Sequence, residues 1–346
     1  MSNTNNFDKS KGIASLFLLK AIGAIFVLLI HFKFPYKGVV EPIYRIGVPI
    51  FFVVGGYFFY SVDLSKVKER GKKTLRKMIL LILFFNLIYG IVNHFILGKS
   101  IVFSFDFAKR LILYGDNIEG ILWFLTSYFW TVVLIYFLIQ INLKRIIFPL
   151  AVVLAVYHLL SGQYTNLVGL HLNPVAPQYY LPYLLVSYPF FIMGMWLRKH
   201  EKDKILRLTD KIVLRLFFIS IICCYIEHRI LVILGIYSGS TMMSAFFLTF
   251  TTMVLCIKHK DFGSHRSIAF LSTIGQEHSG NIYYWQFFVF NLFIHPFLLR
   301  YPIFDRTSAL VMFLSLLFFS AIMNTSNPQL SSSASFLRLN VLSSLN

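Results

Sequence analysis

Apolar runs recur along the whole chain, and each is closed by a polar or basic cluster. A hydrocarbon core of about 30 Å takes roughly 20 apolar residues of helix to cross, so the runs read as about ten spans. The first is Ile13 to Phe34; a short loop, Phe34 to Pro42, leads to a second of about Ile43 to Ser61. The third covers about Met78 to Leu97, the fourth Ile121 to Ile141 and the fifth Ile146 to Leu160. The sixth runs from about Leu181 to Leu197, the seventh Ile212 to Ile236 and the eighth Thr241 to Ile257. The ninth covers about Asn281 to Leu299 and the tenth Ser308 to Met323. The pattern predicts an all-α, polytopic transmembrane bundle filling residues 1–324. Residues 325–346 form a serine-rich tail with no span-length run, expected to be weakly ordered.

Polar residues inside these runs are the informative exceptions. In an α-helix, positions 20, 24, 27 and 31 share one stripe, because eleven residues make about three turns. Lys20 and His31 therefore lie on one face of the first span, roughly 16 Å apart at about 1.5 Å per residue. Ionisable groups at membrane depth are costly and mark the bundle interior or a wet substrate path. The plainer alternative stays open for each: Lys20 snorkelling to one interface, and His31 an ordinary boundary residue at the other. The second span contains Gly47-Val48-Pro49 and Gly55-Gly56-Tyr57, which signal either close helix approach or a local break. Glu227-His228-Arg229 places three ionisable residues in a row near the expected outer end of the seventh span. Here a site role competes with a simple ion pair between Glu227 and Arg229 or Arg215.

Composition excludes a soluble domain: of 346 residues, 57% are hydrophobic and 18% aromatic, and only 13% are charged. Mean hydropathy is +0.71. The formal charge of +18 would suit nucleic acid if it were gathered on one surface, but the Lys and Arg residues fall in alternate loops. The expected partner is membrane lipid, with no nucleic acid. The densest clusters, Lys66 to Lys77 and Arg198 to Lys211, lie on the same side as Lys144, Arg145, Lys258 and Lys260, so both termini are expected in the cytoplasm. The loop from Ser161 to Tyr180 carries no formal charge and is expected outside. Cys223, Cys224 and Cys256 sit in apolar segments without metal-ligand spacing and read as packing residues. The first run is too long for a signal peptide and lacks a small-residue cleavage site, so it is expected to be retained.

Lys20-x-x-Gly23-x-x-x-Val27-x-x-x-His31 resembles the R-x-x-A-x-x-x-V-x-x-x-H signature that opens the membrane acyltransferase 3 family. Gly47-Val48-Pro49-Ile50-Phe51-Phe52-Val53-Val54-Gly55-Gly56-Tyr57 is similar to that family's G-V-x-x-F-F-x-x-S-G-Y. Leu122-Trp123-Phe124-Leu125, Phe190-Phe191-x-x-Gly194 and Ser279-Gly280-Asn281-Ile282-Tyr283 follow in the family's order. The departures are Lys20 for arginine, Gly55 for serine, and Gln286 where many members have histidine.

The resemblance implies an O-acyltransferase of the bacterial cytoplasmic membrane. Its donor would be cytosolic acyl-CoA, acetyl-CoA or a relative, and its acceptor a hydroxyl of a cell-surface or lipid-linked glycan. No metal is implied. A pantetheine arm is on the order of the separation between Lys20 and His31, so Lys20 would hold donor phosphate while the thioester reaches the histidine. His31 is then the expected general base and Glu227 the carboxylate that orients it, with Asp106, Asp116 and Glu119 as competitors. Tyr57, Trp123, His228 and Arg229 are the expected substrate-binding residues. The alternative is an exporter or flippase of a lipid-linked polysaccharide, although the chain shows no inverted repeat of broken spans.

Overall fold

The structure, a computed structural model, describes residues 13–100, 104–113, 118–168 and 183–326. Expectations for the N-terminal segment, Asp116, most of the loop from Ser161 to Tyr180, and the tail after residue 326 lie outside the described residues. Among the described residues there are helices and no strands. The chain begins with α1 (Ala14–His31), α2 (Lys37–Tyr44), α3 (Gly47–Phe59) and α4 (Leu64–Ile91). Next come α5 (Phe105–Leu113), α6 (Trp123–Gln140), α7 (Ile147–Ser161) and the single turn α8 (Thr165–Val168). These are followed by α9 (Tyr188–Lys199), α10 (Asp210–Ile233) and α11 (Met243–Lys258). The last are α12 (Ala269–Thr273), α13 (Ser279–Val289), α14 (His295–Arg300) and α15 (Ser308–Ser326).

Eight helical segments among the described residues are long and apolar enough to cross a bilayer. They are 14–31, 37–59, 64–96, 120–140, 144–161, 210–233, 269–300 and 302–323, and Met243–Lys258 is apolar but shorter. The apolar residues outside the core support the same reading. On α10, Leu214, Phe218, Ile222 and Ile226 are all exposed, a band that water would penalise and lipid would not.

Three expected boundaries move, each for a local reason. The third span's helix starts at Leu64 rather than near Met78, because the Asp63 carboxylate caps Ser65 N–H at 2.8 Å and the basic segment between consists largely of helix formers. The loop before the second span is partly helical, as α2, and the chain bends between Tyr44 and Gly47. The ninth span belongs to one helical run from Ala269 to Arg300, wound wider at Ile274–His278 and Phe290–Ile294.

The glycine-rich second span turns out to be a place of close approach and not a break. Pro49 lies in the first turn of α3, where its missing N–H costs nothing. Gly56 of α3 lies so close to α9 that a Cβ there would overlap the Phe191 carbonyl. In return, a Cβ on Gly194 of α9 would overlap the Val53 carbonyl. The two helices touch backbone to backbone, the arrangement by which small residues let helices associate in lipid. Helix α1 is gripped in the same way: Gly47 packs on Gly23 and Phe26 from one side, and Gly275 on Phe17 and Ala21 from another. Most of α1 from Ser15 to Ala24 is therefore buried.

Two cations close helix ends. Arg70, 6% exposed, donates to the carbonyls of Phe58, Phe59 and Tyr60 at 3.0, 3.3 and 2.8 Å and so caps the C-terminus of α3. Lys37 donates to the Ile30 and Phe32 carbonyls at 2.8 and 3.3 Å at the C-terminus of α1.

The helix crossing carries a direct test. Gly56→Ala or Gly194→Ala should lower the thermal midpoint of the detergent-solubilised protein, by an overpacking cost of about 1–3 kcal/mol or more. Gly120→Ala, where a Cβ would meet nothing within 4 Å, should leave it nearly unchanged. Equal midpoints for all three variants would show that the crossing does not hold α3 to α9.

Candidate active site

The two ends of α1 open onto different polar groups. Lys20, seven residues into α1, is 2% exposed. It forms no hydrogen bond or ion pair with any described residue, and its ammonium stands 6.0 Å from the Phe17 ring centroid. His31 ends the helix in an exposed position, with its ring edge-on to Phe287 of α13 at 5.3 Å. The stripe expected from the sequence is thus present, with its lower cation sealed in the bundle and its histidine at the surface of the other end.

Around the His31 end the structure assembles a charged group that sequence reading missed. Glu41 accepts from Arg45 at 2.6 Å and from the Tyr237 hydroxyl at 3.1 Å. Tyr237 in turn lies edge-on to His228 at 4.6 Å. Lys37 reaches the same end, its ammonium donating to the carbonyls of Ile30 and Phe32 on either side of His31. The pairing of Glu41 with Arg45 was legible, since the two are four residues apart on one helical face. Its partner Tyr237 lies 196 residues further on, and no local pattern announces it.

The row Glu227-His228-Arg229 disperses, because neighbours on a helix point about 100° apart. Glu227 accepts the N–H groups of Met243 and Ser244 at 3.0 and 2.8 Å, capping the start of α11. The structure therefore does not bring Glu227 to His31, and it pairs it with neither Arg229 nor Arg215 among the described residues. His228 turns inward, 8% exposed, to Tyr237. Arg229 is exposed and forms no hydrogen bond or ion pair with a described residue. Of the competing carboxylates, Asp106 lies exposed on α5, while Glu119 is half-buried.

Trp123 is half-buried against Phe52, 6.3 Å between ring centroids, at the start of α6. It lies toward the His31 end, since Tyr283 of α13 donates to the Ile121 carbonyl at 3.1 Å and Phe287, one turn further on, meets His31. Between those two residues, Gln286 is fully buried. Its amide N–H donates to the Tyr283 carbonyl, while its Oε1 has no hydrogen-bond partner among the described residues, leaving a buried acceptor open.

Tyr57 goes to the opposite end. Its hydroxyl donates to Glu201 at 2.7 Å and accepts from Arg198 at 3.0 Å, and Arg198 also donates to Glu201 at 2.5 Å. Lys260 pairs with the other Glu201 oxygen, while its backbone carbonyl accepts from Ser15 N–H. Tyr57 therefore sits beside the first turn of α1, roughly 24 Å of helix from His31. Burial by itself would raise the Glu201 carboxyl, but the hydrogen bonds from Lys260 and Tyr57 and the charge of Arg198 outweigh it and hold the group below the ordinary value of 4.5.

No group of three or more His, Cys, Asp or Glu that could hold a metal occurs among the described residues. All three cysteines are free.

Helices of this length and character define a multi-pass membrane protein. The acyltransferase domain of the acyltransferase 3 family matches residues 13–325, nearly the whole chain, and the protein belongs to that family. It is a membrane acyltransferase. Searches of the curated proteins and of the solved structures give no match.

The Glu201 cluster has a pH signature of defined sign. A carboxylate held low in the folded state stabilises it fully above the ordinary value, and the contribution is lost as pH falls through the lower folded-state value. Glu201→Gln should cost about 1–3 kcal/mol at neutral pH. Its melting temperature should converge on that of the unsubstituted protein only in acid below 4.5. A constant difference between the two across the whole range would remove the ionic role of Glu201.

Proposed function

We propose that this acyltransferase moves an acyl group, acetyl in the first instance, from cytosolic acyl-CoA to a hydroxyl of a cell-surface or lipid-linked glycan. The observation that carries the reading is the buried Lys20, without a counter-ion among the described residues, on the same helix that ends in His31. An ammonium buried unpaired costs several kcal/mol, and a donor phosphate offsets that cost. The acyl-pantetheine arm then spans roughly 16 Å of α1 to reach His31. At that end the acceptor oxygen attacks the thioester carbonyl while His31 takes the hydroxyl proton. The C–O bond forms, the C–S bond breaks, and the imidazolium returns the proton to the departing CoA sulfur. Lys37 and Arg45 supply positive charge where the carbonyl oxygen becomes anionic. Glu41, which holds Arg45, takes the supporting position first expected of Glu227. Trp123, His228 and Gln286 are assigned to the acceptor end, and Tyr57 to the donor end. Family membership favours this reading over an exporter of lipid-linked polysaccharide.

The reading places the protein in the bacterial cytoplasmic membrane with ten crossings and both termini inside. Residues 183–199 and Met243–Lys258 supply the two crossings beyond the eight longer segments. Reporter fusions after Lys73 and after Lys204 should then report cytoplasm, and one within residues 161–180 the outer side. A cytoplasmic signal from the last would overturn this topology.

A kinetic split tests the two ends of α1 separately. His31→Ala and His31→Gln should each lower kcat by at least about 10²-fold, with little change in donor binding and normal membrane insertion. Lys20→Ala should instead raise the donor KM, and Lys20→Arg should largely preserve it. Normal transfer per unit of folded protein by either His31 variant would return His31 to a boundary role. An unchanged donor dependence for Lys20→Ala would do the same for the phosphate site.

A further inference from the structure

On the basic end of the bundle, away from α1, a cavity of about 430 Å³ opens between the C-terminus of α3 and the start of α7. Lys144, Arg145 and Lys199 line it together. Several other cations at this end are matched by carboxylates: Lys73 by Glu69 at 2.7 Å, Lys258 by Asp210 at 3.2 Å, and Arg198 and Lys260 by Glu201. None of the three lining the cavity meets a carboxylate among the described residues, and Lys199 stands 5.1 Å over the Phe148 ring. Three like charges sharing one hollow repel each other unless an anion joins them.

Most of the remaining lining is apolar and includes Ile147, Phe148 and Met195. From Phe148, the helical stripe continues at i+4 and i+8 to Val152 and Val156, which are 65% and 50% exposed on a helix long and apolar enough to lie in a bilayer. The cations thus stand where a headgroup would lie, and a lipid-facing track leads away from them along α7.

We propose that this cavity holds the phosphate headgroup of an anionic phospholipid from the adjoining leaflet, with an acyl chain along the Phe148–Val152–Val156 stripe. Phosphate is the shared chemistry of a lipid headgroup and a soluble anion, and the apolar track argues for the lipid. The site does not depend on the acyl-transfer reading, because no residue of α1 lines it.

The test is native mass spectrometry of the full chain in a zwitterionic detergent, titrated with phosphatidylglycerol or phosphatidylcholine. Phosphatidylglycerol should be retained and phosphatidylcholine lost. Combining Lys144→Gln, Arg145→Gln and Lys199→Gln should weaken retention on the order of a hundredfold, from the additive pull of three basic residues on an anionic headgroup. A control triple, Lys72→Gln, Lys202→Gln and Lys211→Gln, removes as much charge from exposed positions outside the cavity and should bind as the unsubstituted protein does. Lys144→Arg with Lys199→Arg, which keeps the charge, should also bind normally, separating loss of the site from loss of fold. Equal retention of both lipids, or equal weakening in the two glutamine triples, would overturn the proposal. So would displacement of the lipid by inorganic phosphate or coenzyme A, which would make the cavity a site for a soluble anion.

Discussion

The architecture rests on helices that touch through their backbones. Inside a bilayer no hydrophobic force draws one apolar helix to another, so association depends on close packing and on polar groups finding partners. Gly56 and Gly194 let α3 and α9 meet with no side chain between them, and Gly47 and Gly275 do the same on two sides of α1. The consequence for function is positional. A helix gripped this tightly cannot turn its lysine to the lipid, so Lys20 stays in the interior while His31 emerges where the packing ends.

Away from α1, polar groups gather at the two ends of the bundle and satisfy one another. Glu201 collects Tyr57, Arg198 and Lys260 at one end, joining α3, α9 and the segment after α11. Glu41 collects Arg45 and Tyr237 at the other. Among the buried groups that find no hydrogen-bond partner among the described residues are the ammonium of Lys20 and the Oε1 of Gln286. A buried polar group with no partner is costly, and these two lie on adjoining helices, α1 and α13. Substrate atoms that complete them would convert a standing cost into binding energy.

The sequence by itself determined the class. Runs of span length, their spacing and the motifs they carry led to an all-helical membrane acyltransferase, which the helices and the family match bear out. The reason is that lipid imposes length, apolarity and internal backbone hydrogen bonding on each segment separately. The α1 stripe was legible for a similar reason, since helical periodicity places Lys20 and His31 on one face without help from any neighbour.

Tertiary structure decided what each polar residue does. Glu227, His228 and Arg229 are consecutive in the chain, yet one caps α11, one meets Tyr237 edge-on and one stays exposed. Tyr57 lies in a motif shared with the His31 end but is held at the other end by Glu201 and Arg198. The choice between a break and a close approach at the second-span glycines likewise waited on α9 coming into place beside them. These outcomes depend on partners from other segments, from nine residues away for His228 and Tyr237 to 144 for Tyr57 and Glu201, brought together by helix packing. Local periodicity reports which face a residue occupies, but only the packed bundle reports what that face meets.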